Sequence, residues 1–276
     1  MAEIAAGATR RLTPCGAGRM TWRVWGAGPP LVLLHGATGS WTHWILNVEA
    51  LAARFQVLAP DMPGYGDSDS PPEPHTADGL AAIVSAGLDV VVSPPATLAL
   101  AGFSFGGIIT GLVAARQGTR VRTLVLVGPN GMALRRAPLP SLRRLRPGMA
   151  PGEVRDIHRE NLRRLMLADP ARADDLAVHV QLENVRQARF RSAGIPESDA
   201  LLRALPAVTA RLAGIWGEHD AFAVPYLEDR RRTFARFQPG VDFRVIEGAG
   251  HWVIYEAADR VNAALLGMLG AGRGGG

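Results

Sequence analysis

The chain has 276 residues, of which 47% are hydrophobic and 20% are charged, and its formal net charge is +5. This length can bury one large core or one domain with an insertion, and no uncharged apolar run of about 18 residues predicts a membrane-spanning helix. The chain starts without the apolar stretch of a secretory signal and has one cysteine, so we expect a cytoplasmic protein without internal disulfides.

The positive charge is concentrated in one segment. All 30 basic residues are arginine, and 13 of them lie in residues 130–191 against seven acidic residues. The segment lacks the interleaved aromatic residues or the recognisable module of a nucleic-acid site, so we expect no nucleic-acid partner. A solvated face is the simpler interpretation, and the steering of anionic substrates is the alternative.

Short apolar runs between Gly- and Pro-rich turns predict a largely parallel sheet with helices between its strands. The predicted strands are 21–25, 31–34, 56–59, 96–101, 121–127, 211–216 and 242–246. The predicted helices of the core are 41–55, 80–92, 106–116, 226–237 and 253–269. This alternation of strands and helices is typical of an α/β fold.

The pattern changes between the strands 121–127 and 211–216. Arginine-rich helical segments are predicted at 153–167, 172–191 and 197–205, and no strand-like run separates them. An insertion of this kind would lie over the carboxyl edge of the sheet as a lid. We therefore predict a core of residues 1–129 and 207–276, a helical cap of residues 130–206, and a disordered tail at 270–276.

The sequence Gly102-Phe103-Ser104-Phe105-Gly106 reads G-x-S-x-G and stands between a predicted strand and a predicted helix. This is the context of a nucleophile elbow, in which a tight turn lifts a serine hydroxyl above the sheet. Glycine is needed at both outer positions because side chains would collide there. The pentapeptide alone also fits an ordinary Gly-rich loop. The two interpretations are separated by whether the chain supplies an acid and a base elsewhere.

Two more polar residues follow later strands. Asp220 comes after the strand 211–216, and His251 comes after the strand 242–246. The chain order of Ser104, Asp220 and His251 is that of a nucleophile, an acid and a base on this architecture. A serine hydroxyl needs an imidazole to take its proton, and the imidazole needs a buried carboxylate to hold its tautomer.

With these motifs the chain resembles the α/β-hydrolase superfamily over residues 20–269. His35-Gly36, Asp61-x-Pro-Gly-x-Gly-x-Ser, the elbow, Trp216-Gly-Glu-His-Asp and Gly250-His251-Trp252 stand in the family's order and spacing. The resemblance implies an α/β-hydrolase fold and a cofactor-free, metal-free serine hydrolase acting on a small ester or ketone. It gives each site residue a role: the catalytic residues are Ser104, Asp220 and His251, the oxyanion donors are the backbone N–H groups of Ala37 and Phe105, and the pocket residues are Gly36, Phe103 and Trp252.

Two branches of the superfamily fit, and the sequence leaves both open. One contains lid-bearing carboxylesterases, and the other contains C–C bond hydrolases of aromatic ring-cleavage products. Gly250-His251-Trp252 and the following Tyr255-Glu256-Ala257-Ala258-Asp259 resemble the second branch, but that branch has asparagine where this chain has Phe103, and another near the position of His43. Haloalkane dehalogenases and epoxide hydrolases use an aspartate nucleophile, and Ser104 argues against both.

Three further expectations concern partners. A catalytically silent binding protein of the same fold is the alternative to an enzyme, and a homodimer is left open. We also expect that one arginine of the cap faces the pocket and pairs with a substrate carboxylate. The candidates are Arg186, Arg189 and Arg191.

Overall fold

The structure is a computed structural model that describes residues 1–192 and 194–270. Its centre is one sheet of eight strands in the order β1-β2-β4-β3-β5-β6-β7-β8, in which β1, β2 and β4 pair antiparallel and all later pairs are parallel. The strands are β1 (Thr9–Cys15), β2 (Gly18–Trp25), β3 (Pro30–Leu34), β4 (Gln56–Pro60), β5 (Leu98–Phe103), β6 (Val121–Val127), β7 (Arg211–Gly217) and β8 (Asp242–Ile246). The α/β-hydrolase fold predicted from the sequence is confirmed.

Each central strand is apolar on both faces because helices cover both sides of the sheet. In β3, Val32 and Leu34 belong to one buried cluster, whereas Leu31 and Leu33 belong to the other. This alternation follows from the two-residue period of a strand. It explains why the strand reads as a continuous apolar run in the sequence.

Ten helices surround the sheet in the part of the chain that the structure describes. They are α1 (Ala2–Ala6), α2 (Val48–Ala52), α3 (Ala77–Val91), α4 (Phe105–Gln117), α5 (Pro151–Leu165), α6 (Asp175–Gln187), α7 (Ala200–Ala204), α8 (Leu227–Phe237), α9 (Val253–Glu256) and α10 (Ala258–Gly270). In residues 1–192 and 194–270, none of the helices has the length and apolar character that crossing a membrane requires.

The β6–β7 insertion, which we define as residues 128–210, contains α5, α6 and α7. Helices α5 and α6 pack against each other, and the carboxyl end of α5 contacts the loop that follows β8. Helix α7 instead packs on α4, where Leu201 lies over Gly111. The part of the insertion with α5 and α6 therefore lies above the sheet edge, and the part with α7 packs into the core. The proposed division of the chain after residues 129 and 206 stays a prediction.

The structure adds one strand that the sequence analysis missed. β1 is an edge strand in which only Thr13 and Cys15 are buried. Its sequence therefore lacks the apolar alternation from which a strand can be predicted. Other bounds also differ. The predicted helix 41–55 is a short 3-10 turn at Trp41–Trp44 followed by α2, and the predicted helix 253–269 is interrupted at Ala257 between α9 and α10.

The predicted tail is corrected at its first residue. Gly270 is the last residue of α10, which packs against the sheet. The rest of the predicted tail, residues 271–276, lies outside the described residues.

Candidate active site

Ser104 stands on a strained turn between β5 and α4. Its backbone has φ 52° and ψ −118°, a left-handed φ that a non-glycine residue adopts only when its surroundings enforce it. The flanking glycines are required by close contacts. A Cβ atom on Gly102 would lie 2.1 Å from Oγ1 of Thr110, and one on Gly106 would lie 2.3 Å from the carbonyl oxygen of His35. The elbow predicted from the sequence is therefore present.

Loops after three different strands bring Ser104, His251 and Asp220 into one line. Nε2 of His251 lies 2.9 Å from Oγ of Ser104, and Nδ1 lies 2.9 Å from both carboxylate oxygens of Asp220. All three residues are buried, with 7%, 2% and 1% of their surfaces exposed, respectively. Because the carboxylate can only accept, it holds the imidazole proton on Nδ1 and leaves Nε2 free to accept the serine proton.

Two backbone N–H groups beside Ser104 are available to a ligand. Within the described residues, the N–H groups of Ala37 and Phe105 donate to no protein acceptor. Phe105 is the first residue of α4, so its N–H also carries the positive end of the helix dipole. Ala37 lines the cavity above Ser104. Both predicted oxyanion donors are thus free to bind a developing negative charge.

The backbone of Gly36 is hydrogen-bonded by two histidine rings, one at its carbonyl and one at its N–H group. Nε2 of His35 accepts from the Met62 N–H (2.9 Å), so Nδ1 of His35 carries the proton and donates it to the Gly36 carbonyl (2.8 Å). Nδ1 of His43 accepts from the Gly36 N–H at 3.1 Å. Both rings must therefore be neutral. Burial lowers the pKa of His35 and places that of His43 well below its ordinary value.

A cavity of about 360 Å³ opens above Ser104, between the sheet edge and the β6–β7 insertion. Its wall on the core side includes the predicted pocket residues Gly36 and Phe103. The insertion contributes six apolar and six polar residues. The apolar ones are Leu139, Leu142, Leu162, Leu165, Met166 and Pro196, and the polar ones are Asn130, Arg136, His158, Asn161, Gln181 and Glu197. Most of the lining surface is apolar, with polar groups placed along it, which is usual for a small-molecule site.

Trp252 was expected to line this cavity, and the structure corrects that prediction. Its side chain is fully buried, stacks on Tyr255 at a ring distance of 4.4 Å, and donates its indole N–H to the carbonyl of His43. The His43 ring occupies the position between Trp252 and Phe103, so His43 forms the cavity wall there instead.

The arginine predicted to face the pocket is also a different one. Arg186 pairs with Glu183 on the outside of α6, and Arg189 donates to the backbone carbonyls of Gly66 and Ser68. Arg191 is exposed and is not among the cavity residues. The arginine that lines the cavity is Arg136, whose guanidinium lies 3.4 Å from the Glu197 carboxylate. A run of arginines in the sequence does not reveal which side chain turns inward.

Three further residues, to which the sequence analysis gave no role, lie beside the site residues or their loops. The Nδ2 group of Asn130 lies 3.5 Å from Oγ of Ser104, and the ring of Phe222 lies 4.3 Å from that of His251. The carboxylate of Glu256 accepts from the Gly250 and Asp169 N–H groups, each at 2.6 Å. No local motif signals these contacts. Among the described residues, no group of three or more His, Cys, Asp or Glu side chains is placed to hold a metal ion.

A serine on a strained strand-to-helix turn, aligned with a histidine and an aspartate from later loops, defines the class of α/β hydrolases. The sequence comparison agrees. The model of the alpha/beta hydrolase family matches residues 31–264, and the chain belongs to that family. The protein is accordingly a hydrolase of the alpha/beta type.

Individual relatives differ in what they do. The chain is 31% identical over 265 residues to a 2-hydroxy-6-oxononadienedioate/2-hydroxy-6-oxononatrienedioate hydrolase of Paraburkholderia phymatum, covering 89% of this chain and 88% of that protein. It is 32% identical over 253 residues to the dihydrolipoyllysine-residue acetyltransferase component of the acetoin cleaving system of Pseudomonas putida. That match covers 88% of this chain but only 64% of the relative, which is less than two thirds of its length.

Among solved structures, a thermophilic esterase from Thermogutta terrifontis superimposes with a TM-score of 0.70 over 96% of this chain and 99% of that chain. The two sequences are 22% identical, so this likeness concerns the fold.

Proposed function

We propose that the protein is a serine hydrolase that cleaves carboxylic esters of small to medium apolar substrates through an acyl-enzyme. The observation that carries the proposal is the buried line from Oγ of Ser104 through the His251 ring to the Asp220 carboxylate, with 2.9 Å at each step. These are the distances at which a hydroxyl proton can pass to an imidazole.

In the proposed reaction, His251 takes the Ser104 proton as the serine oxygen attacks the ester carbonyl carbon. The negative charge that develops on the carbonyl oxygen is stabilised by the N–H groups of Ala37 and Phe105. Asp220 stabilises the imidazolium, which then protonates the departing alcohol. Water attacks the acyl group on Ser104 in the second half-reaction, with His251 again accepting a proton.

The cavity favours an apolar acyl or alkyl group of modest size. Leu162, Leu165 and Met166 of the insertion line it, and so does Phe103, whose ring lies 5.1 Å from that of His251. A volume of about 360 Å³ is at the lower end for ligand sites, so we expect short-chain esters to be better substrates than long-chain ones.

The test is hydrolysis of p-nitrophenyl butyrate together with labelling by a fluorophosphonate probe. We expect turnover and covalent labelling at Ser104, and loss of both in S104A. The matched control is S198A, which removes a serine of the β6–β7 insertion that is not among the cavity residues. A folded protein that neither turns over esters nor reacts with the probe would favour the silent binding protein.

C–C bond hydrolysis is the second candidate, favoured by the relative from Paraburkholderia phymatum that is 31% identical over most of both chains. The cavity also carries polar groups that an acidic dienone could use, among them Arg136, Asn130 and His158. Phe103 and His43 are the departures that weigh against it. Comparing kcat/KM for short-chain esters with that for a ring-fission dienone separates the two candidates, and a dienone preference of several orders of magnitude would overturn the esterase proposal.

A further inference from the structure

A second concave site lies at the opposite edge of the sheet from Ser104. It is a groove of about 570 Å³ at the amino ends of the four central strands β3, β5, β6 and β7. Substrates of open α/β sheets bind at the carboxyl ends of the strands, so this groove is separate from the candidate active site. We name it the amino-edge groove, and its lining residues are Pro29, Pro30, Phe55, Thr97, Leu98, Ala99, Thr119, Val121, Arg122, Thr123, Thr209, Arg211 and Leu269.

The lining is rich in hydrogen-bond donors and contains no acidic residue. Two guanidinium groups, from Arg122 and Arg211, accompany four threonine hydroxyls. Two of these donors, Thr123 and Arg211, lie side by side on neighbouring strands. Ala99 of β5 pairs with Thr123 of β6, which pairs with Arg211 of β7. Ala99, Thr123 and Arg211 all line the groove, so this row of the sheet faces it.

Arg211 has donor capacity that the protein does not use. Its NH2 group is buried and has no hydrogen-bond partner within the described residues. Asp242 on the neighbouring strand is close enough to feel the charge of Arg211, but both of its carboxylate oxygens accept from Arg244, at 2.9 and 2.8 Å. A buried guanidinium N–H without an acceptor is costly, and an anionic ligand would satisfy it.

Arg122 lies at an irregularity in the pairing of β5 with β6. The register shifts between Leu98 and Ala99, so that Leu98 faces Val121 and Ala99 faces Thr123. Arg122 is left as the extra residue of a bulge, a feature that re-aims a side chain at the end of a strand. The second guanidinium is thereby added to the edge where Arg211 lies.

We propose that the amino-edge groove binds a small organic phosphate, with the phosphate group between Arg122 and Arg211. A phosphate presents three acceptor oxygens, which suits two guanidinium forks and nearby hydroxyls better than the two oxygens of a carboxylate. Pro30, Phe55 and Leu269 form an apolar wall that would contact the organic part of the ligand. This proposal does not depend on the reaction at Ser104.

The test is isothermal titration of the full chain with phenyl phosphate, inorganic phosphate and benzoate at constant ionic strength. We expect saturable binding of phenyl phosphate at one site, weaker binding of inorganic phosphate, and binding of benzoate at least tenfold weaker than that of phenyl phosphate. R122Q and R211Q should each weaken phenyl phosphate binding by about tenfold or more. The matched control is R116Q, an arginine on α4 that pairs with Asp78 and does not line the groove.

R122Q keeps the test valid if R211Q fails to fold, because Arg122 is exposed and its replacement leaves the core intact. Prior labelling of Ser104 with a fluorophosphonate separates this site from the catalytic cavity, and binding should survive that treatment. The proposal is overturned by unchanged affinity in R122Q, by loss of binding after labelling, or by benzoate binding as tightly as phenyl phosphate.

Discussion

Mild acid should destabilise this fold, because the backbone N–H groups of Gly36 and Met62 depend on two imidazole acceptors that must stay neutral. His43 accepts from the Gly36 N–H through Nδ1, and His35 accepts from the Met62 N–H through Nε2. Protonation of either ring would turn that acceptor into a donor facing another donor. Burial accordingly lowers the pKa of both rings in the folded state.

The magnitude follows from proton linkage. In the unfolded chain each imidazole binds a proton with a pKa near 6.5, so below that pH the unfolded state holds more protons than the folded state. The free energy of unfolding therefore falls as the pH falls, by about 1.4 kcal/mol per pH unit for each ring that stays neutral. Between about pH 6.5 and pH 5 this amounts to about 2 kcal/mol for His43, and the contribution of His35 has the same sign.

The assay is urea unfolding at about pH 7 and about pH 5, at equal ionic strength, for the wild type and H43N. Asparagine can still accept from the Gly36 N–H but cannot bind a proton, so the stability lost between the two pH values should shrink by about 2 kcal/mol. The control is H219N, which removes an exposed histidine and should leave the loss unchanged. An equal pH dependence in H43N and the wild type would refute the reasoning.

Three further substitutions test the site. D220N should lower kcat for a short-chain ester by about 10⁴-fold, because the amide no longer holds the proton of His251 on Nδ1 or stabilises the imidazolium. E256Q should lower the free energy of unfolding by about 1–3 kcal/mol and reduce kcat, because an amide NH2 would face one of the two N–H groups that the carboxylate accepts from. G106A should destabilise the fold by about 3 kcal/mol or more, because the added Cβ meets the His35 backbone 2.3 Å away.

The last two of these predictions each have a matched control in the chain. E218Q removes a carboxylate that accepts one N–H group, from Gly248, and should change kcat much less than E256Q. G152A places a Cβ in open space on α5 and should not destabilise the fold. Activity of D220N within tenfold of the wild type would argue against the proposed role of Asp220, and wild-type stability of G106A would contradict the packing at the elbow.

Strands could be predicted from the sequence wherever one physical constraint acts on adjacent residues. Buried parallel strands must be apolar on both faces, so β3 and β6 are visible as apolar runs. β1 was missed because an edge strand with exposed arginines has no such constraint.

Residues whose roles depend on partners far along the chain could not be predicted. Trp252 belongs to the core because His43, more than 200 positions earlier, occupies the wall of the cavity. Arg189 instead donates to two backbone carbonyls in the loop that follows β4. These contacts leave no periodic or local pattern in the sequence.

The sequence by itself determined the buried strands of the sheet, the elbow at Ser104 and the order of the polar residues after later strands, since glycine spacing and apolar runs are local requirements of the backbone. Only the tertiary structure decided which groups meet: the neutral histidines and the Gly36 backbone, and the Glu256 carboxylate and two backbone N–H groups beside the β6–β7 insertion. It also left the NH2 group of Arg211 without a hydrogen-bond partner among the described residues. Hydrogen bonding and burial join atoms across space, and their geometry exists only once the chain has folded.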